Sequence, residues 1–455
     1  MSNMFRLPTA ILTALLLAVA APCQDAKLKT ELKTKETAAK KDPDQMFEVA
    51  KWANEKSLSN DAKRIFQAIL KIKPDHAGAN EAIGNQLVEG KWMPAKEAEA
   101  LRKKALAAEF AAKGFVEVNG VWVEKDKADD AKRGVFHHEG DVVTKEELIA
   151  FQTGKVRHPD TGELIDAKNL EKAKSKYYPV GSDRWVDLKE ADTWHSDLKR
   201  PWIVRTTKGL IISTLGLAKI EELKFFVDQG IDQVSPLLGG KVVAATRRPL
   251  VFIAATESEF RDLGQQFGDG TDACGAYIAA GQNPMTLPLL GEVHPAICFN
   301  HKDWGQRYIR HCAAISYAHG VAEEAGIDLP LWMLHGIGAY TSRFQNDSDA
   351  GWFGKQHQQK GGVRNLKSFF AGFAISGEME STAIDYNMYQ AGLLLAYAVR
   401  GGDPKVTETM QAVTAALGGT AKGGFDKAVT KLQTQLIEAE PKVAAYMQQL
   451  IAKAP

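Results

Sequence analysis

The chain has 455 residues, too many for one ordinary core, so several domains are expected. Hydrophobic residues make up 45% and charged residues 25%, as in soluble globular chains, which argues against a disordered or collagen-like polymer. A formal net charge of +1 supplies no overall basic field, so nucleic acid is not expected as a partner.

Residues 1–23 have the pattern of an export signal. Arg6 supplies a basic start, the stretch Ala10 to Ala21 is apolar, and small residues end it, with cleavage expected between Ala20 and Gln24. A membrane span needs about 20 apolar residues, and here the chain turns polar at Gln24. Pro22 fits poorly before a lipid-modified Cys23. The expected location is therefore secreted or periplasmic, with no membrane span.

Residues 24–42 are rich in Lys, Glu, Thr and Ala and read as a solvated linker or frayed helix. From Pro43 the apolar positions Met46, Val49, Ala50 and Ala53, then Ala62, Phe66 and Ile69, fall at helical spacing before Pro74. This pair of helices resembles the tetratricopeptide repeat, and Ile83, Gly84 and Leu87 suggest a partial second copy starting at Ala77. Residues 43–110 are accordingly expected to form a short helical module that caps the neighbouring C-terminal segment.

Residues 111–198 carry a period of 20: Gly114, Gly134 and Gly154 each open a strand-like run that meets a turn, at Asn119-Gly120, Glu139-Gly140 and Asp160-Thr161-Gly162. Asn-Gly between apolar residues is a hairpin signal, so small β-hairpins with a helix beside each are expected. Trp92, Trp122 and Trp185 read as hairpin core, and His137, His138 and His158 as solvated turn residues.

Residues 199–455 read as one α+β domain. Strands are expected at Trp202 to Thr206, Gly209 to Ser213, Leu250 to Ala254, Gly275 to Ala279 and Ala296 to Asn300. Helices are expected at Leu217 to Leu238, Thr256 to Phe267 and about Asp303 to Glu324. In an exported compartment Cys274 and Cys298, on neighbouring strands, are a possible disulfide.

The long helix holds His311-Cys312-Ala313-Ala314-Ile315, and after Leu329-Pro330 comes Leu331-Trp332-Met333-Leu334-His335-Gly336-Ile337-Gly338-Ala339-Tyr340. This order, from about Trp202 to Leu436, resembles the peptidase MA-like family of gluzincin metallopeptidases. The resemblance implies a mixed sheet with helices and a largely helical C-terminal part. In that family the helix reads His-Glu-x-x-His and the later segment supplies a Glu. Residues at i and i+4 share a helix face and grip one zinc, while the intervening Glu is the general base.

Matched to that pattern, His311 is retained, Cys312 replaces the base, Ile315 replaces the second histidine and His335 replaces the third ligand. Ile315 cannot bind metal, and a thiol does not do the carboxylate's proton transfer, so His311 and His335 remain as the weak metal candidates and no cofactor is expected. Trp332, Gly336, Gly338 and Tyr340 are expected to serve packing. The resulting expectation is an exported, non-catalytic peptidase-like protein that binds a peptide or protein or acts as a scaffold. The alternative is a divergent metal- or thiol-dependent hydrolase using His311, Cys312 and His335.

Overall fold

The computed structural model describes residues 21–181, 184–267, 277–278, 283–287, 289–374, 381–418 and 422–453. The expected signal core and Cys274 lie outside the described residues. The fold is α+β, and the chain divides into two compact units, Met1–Val116 and Glu117–Pro455.

The first unit is built on helices α1 (Ala21–Ala38), α2 (Pro43–Glu55), α3 (Ser59–Ile72) and α4 (Ala77–Ala82), followed by strands β1 (Asn85–Val88) and β2 (Lys91–Pro94) and helix α5 (Ala95–Ala112). Asp42 caps α2 by accepting from the Asp44 and Gln45 N–H groups, and Pro43 stands at its first turn, where a missing N–H costs nothing. Val49, Ala50 and Ala53 face Ala62, Ile65, Phe66 and Ile69 in one core. Two expectations change here. The charged segment is no solvated tether, because α1 inserts Leu32 into that core and Ala39 follows it there. The second helical copy also fails to form: after α4 the chain turns at Gly84 (φ 84°), and Leu87 lies on a strand paired with Trp92 and is exposed.

The boundary between the units falls within β3 (Phe115–Val118), which pairs with β4 (Val121–Glu124). Three more hairpins follow: β5 (Phe136–His138) with β6 (Asp141–Val143), β7 (Lys155–Arg157) with β8 (Leu164–Asp166), and β9 (Tyr178–Val180) with β10 (Arg184–Val186). Asn119 and Gly120 both have positive φ, 53° and 79°, the backbone a two-residue hairpin turn requires. Short helices α6 (Ala128–Lys132), α7 (Lys145–Gln152), α8 (Leu170–Lys174) and α9 (Leu188–His195) alternate with them. Thr144 and Glu147 form a full capping box on α7.

The three histidines of this region are not solvated turn residues. His158 is buried, stacks on Tyr178 and meets the Tyr177 carbonyl at 3.1 Å. His138 stacks on Phe151 with centroids 4.0 Å apart, and His137 pairs with Asp130 at 2.8 Å. Each ring covers an aromatic ring or a carboxylate of a neighbouring element.

A five-stranded mixed sheet follows, in the order β11 (Trp202–Arg205), β12 (Leu210–Ser213), β13 (Leu250–Ala254), β17 (Ala296–Phe299) and β14 (Tyr277–Ile278). Strands β12, β13 and β17 run parallel, and β11 and β14 pair antiparallel at its two edges. Near-continuous apolar runs such as Leu250–Ala254 suit strands covered on both faces. Helix α10 (Leu217–Val234) connects β12 to β13. Helix α11 (Glu257–Phe267) follows β13, with Thr256 accepting from the Glu259 N–H at 3.1 Å. The Glu259 carboxylate accepts from the Ala255 N–H and the Thr214 hydroxyl, which ties the helix start to the end of β12. Strands β15 (Met285–Leu287) and β16 (Gly291–Val293) form a separate hairpin.

The C-terminal part is helical: α12 (Gly305–Ala325), α13 (Leu331–Arg343), α14 (Asp347–Gln359), α15 (Leu366–Ala371), α16 (Ser381–Arg400), α17 (Pro404–Gly418), α18 (Lys422–Glu438) and α19 (Glu440–Lys453). Among the described residues no helix is long and apolar enough to cross a membrane.

Candidate functional site

Helix α12 is the centre of the second unit. It packs between α10, α13 and the sheet, so His311, Cys312, Ala313, Ala314 and Ile315 are all completely buried. Close approach on both sides depends on glycine. A methyl group at Gly230 of α10 would lie 2.7 Å from the Arg310 carbonyl oxygen, and one at Gly320 of α12 would lie 2.7 Å from that of Arg247. Backbones at this separation leave room for no side chain at those two points.

Helix α13 uses two glycines in the same way. A methyl at Gly336 would meet the Ala391 carbonyl oxygen of α16 at 2.8 Å. One at Gly338 would stand 2.3 Å from Nε2, 2.5 Å from Cδ2 and 2.6 Å from Cε1 of His311. Three nearly equal distances place Gly338 over the face of the imidazole. Sequence reading assigned both glycines to packing, and these are the atoms they pack on.

His335 is buried on α13, with its ring 6.1 Å from that of Phe373. His311 feels both the Arg343 guanidinium and His335. Burial first, then Arg343 and then His335 push its pKa well below the usual imidazole value, so it is neutral at physiological pH. Ile315, one turn along α12, adds only hydrocarbon. Trp332 sits edge-on to Phe370, and Tyr340 stacks on Phe344 with the Arg400 guanidinium 4.9 Å from its ring centre. Burial raises the Tyr340 pKa.

The described residues here do not fit a catalytic zinc. Catalytic zinc sites combine three protein ligands with an open position. Among the described residues this helix pair offers His311, neutral through burial, and His335, with Gly338 against the His311 ring face and no carboxylate grouped with them. Among the described residues, no group of three or more His, Cys, Asp or Glu is placed to hold a metal.

Cys312 is placed against a thiol rather than an imidazole. Burial raises its pKa well above the usual thiol value, and its hydrogen-bond partner Cys298 on β17 adds to the rise. Both thiols are fully buried. A nucleophilic cysteine needs thiolate and access, and this environment supplies neither. The expected pairing of Cys298 with Cys274 cannot be followed, because Cys274 is outside the described residues.

A second polar cluster was not visible in the sequence. Glu147 of α7 is approached by three guanidiniums: Arg157 at 3.2 Å, Arg205 at 3.6 Å and Arg248 at 3.6 Å. Burial alone raises the Glu147 pKa, but the Thr144 N–H and the three arginines outweigh it, and the net result is lowered. Arg205 also reaches Asp141 at 3.2 Å, and Arg248 donates to the Val142 carbonyl at 2.6 Å. These residues are spread from Asp141 to Arg248, on hairpin modules, on the edge strand β11 and just before β13, so no local spacing marks them. Compared with known proteins, the chain matches no protein-family model and no curated protein.

Proposed function

We propose that this is an exported, non-catalytic protein whose second unit keeps a gluzincin-like arrangement without its reaction, and that it binds a peptide or protein partner. The observation that carries the reading is the burial of His311: the ring has Gly338 against one face and Ile315 one turn away, and His311 and Ile315 are both completely buried. Hydrolysis of a peptide bond needs water at an activated group. A neutral imidazole completely buried against Gly338 is poorly placed to activate water.

The binding side of the reading rests on the sheet. Strand β14 lies at its edge, paired only to β17 among the described strands. An extended peptide can add to such an edge through main-chain hydrogen bonds. The thiol alternative gains no support, since Cys312 is buried beside Cys298 rather than beside a base.

A generic peptidase assay on the purified chain and on a His311→Ala/His335→Ala variant tests the proposal. Neither is expected to cleave above background. Cleavage by the parent that is lost in the variant would make the alternative hydrolase reading the better one.

A further inference from the structure

The cavity between the β5–β6 hairpin and the loops that follow β11 and α10 carries an inference beyond the peptidase-like reading and independent of it. Its volume is about 340 Å³, and Arg205, Lys208, Lys241 and Arg248 all line it, against Asp141 as the single lining carboxylate. Ile231, Pro249 and Tyr317 add apolar wall. That size lies at the lower end of the roughly 300–1,000 Å³ usual for small-molecule sites.

The positive charge of this wall is incompletely balanced. Glu147 is shared among three guanidiniums, and Asp141, half-exposed, serves Arg205. Lys208 pairs with Asp232, while Lys241 has no carboxylate in ion-pair reach among the described residues. The side chains of Arg205 and Arg248 are each only 10% exposed, so solvent does little to relieve their mutual repulsion. Burial, and then the charge of Arg205, lowers the pKa of Arg248 to about 10. Nη1 of Arg205 is buried without a hydrogen bond.

Holding the hairpin accounts for part of the cluster, since Nη2 of Arg205 and Nη2 of Arg248 donate to the Val142 carbonyl at 3.2 and 2.6 Å. It leaves further guanidinium donors on both, and it gives no role to Lys241. That lysine follows Gly239 and Gly240, both at positive φ, on a loop fixed by the Tyr317 hydroxyl, which donates to the Lys241 carbonyl at 2.5 Å. A buried tyrosine thus holds a cation at the rim of a basic, partly apolar cavity.

We propose that this cavity binds a small organic anion, whose carboxylate or phosphate group meets Arg205, Arg248 and Lys241 and whose apolar body lies against Ile231, Pro249 and Tyr317. Guanidinium forks favour planar, two-point recognition of such oxyanions, and the apolar wall discriminates against bare inorganic ions.

Isothermal titration of the full chain at low salt and pH 7 tests this, with 3-phenylpropionate, phenyl phosphate and inorganic phosphate as probes. At least one organic anion is expected to bind with one-to-one stoichiometry, about tenfold or more tighter than inorganic phosphate, and whichever binds identifies the head group. Lys241→Ala and Arg248→Lys are each expected to weaken that binding by about tenfold. Lys241→Gln replaces the alanine variant if its circular dichroism departs from that of the parent. Absence of binding by all three probes, inorganic phosphate binding as tightly as the organic anions, or affinity unchanged in the folded Lys241 and Arg248 variants would overturn the proposal.

Discussion

Two groups of ionisable side chains in the second unit receive opposite treatment from the fold. Around α12 and α13, His311, Cys312 and His335 are buried, and desolvation drives His311 and Cys312 to their neutral forms. Around Glu147, three arginines share one carboxylate, and two of them, Arg205 and Arg248, line a cavity. The first group has the residue types of a peptidase site but no access. The second has no motif but has charge, access and volume. Residue identity therefore points to one place and physical environment to the other.

The largest expected effect comes from removing the shared carboxylate. Glu147→Ala leaves three guanidiniums facing one another at low exposure, and breaking such a buried pair costs about 3 kcal/mol. Urea denaturation would read it, and a loss below about 0.5 kcal/mol would mean the cluster is effectively solvated.

Gly338→Ala forces a methyl group onto the His311 ring and is expected to cost about 2 kcal/mol. His311→Ala in the same chain should recover part of that loss, because the clash partner is gone. A double-mutant cycle reads the coupling, and strict additivity would show that the two residues do not touch.

The pH dependence separates two glutamates of the hairpin region. Burial raises the pKa of Glu163 to about 7, so its neutral form is favoured in the folded state. Its contribution to stability is full below the unfolded value near 4.5 and is lost as pH rises through about 7. Glu163→Gln should therefore stabilise the protein at pH 8 by about 1–2 kcal/mol and change little at pH 4. Glu147 behaves oppositely: its lowered pKa supports the fold at neutral pH, and that support is lost on acidification. Equal effects of Glu163→Gln at both pH values would contradict the assignment.

The sequence revealed most where structure is local. Asn119-Gly120 dictates its own turn, and the helix from Gly305 to Ala325 begins and ends close to where its pattern suggests. Leu32 and Leu87 were misjudged for one reason: each sits in a segment whose local pattern does not reveal its tertiary surroundings. The charged α1 buries Leu32 against α2 and α3, whereas Leu87 is exposed on a strand where helical spacing suggested a core. The candidate site divides in the same way. His311 and Ile315 could be placed on one helix face by counting, but the covering of His311 depends on Gly338 of the next helix. The arginine cluster joins positions 147, 157, 205 and 248, whose proximity exists only after the hairpins dock on the sheet.

Metal analysis of the purified chain, dialysed with zinc and then freed of loosely bound ion, bears most directly on the sealed helix pair. The account predicts well under one zinc per chain and the same value for the His311→Ala/His335→Ala variant. One tightly held zinc per chain that disappears in the variant would contradict it.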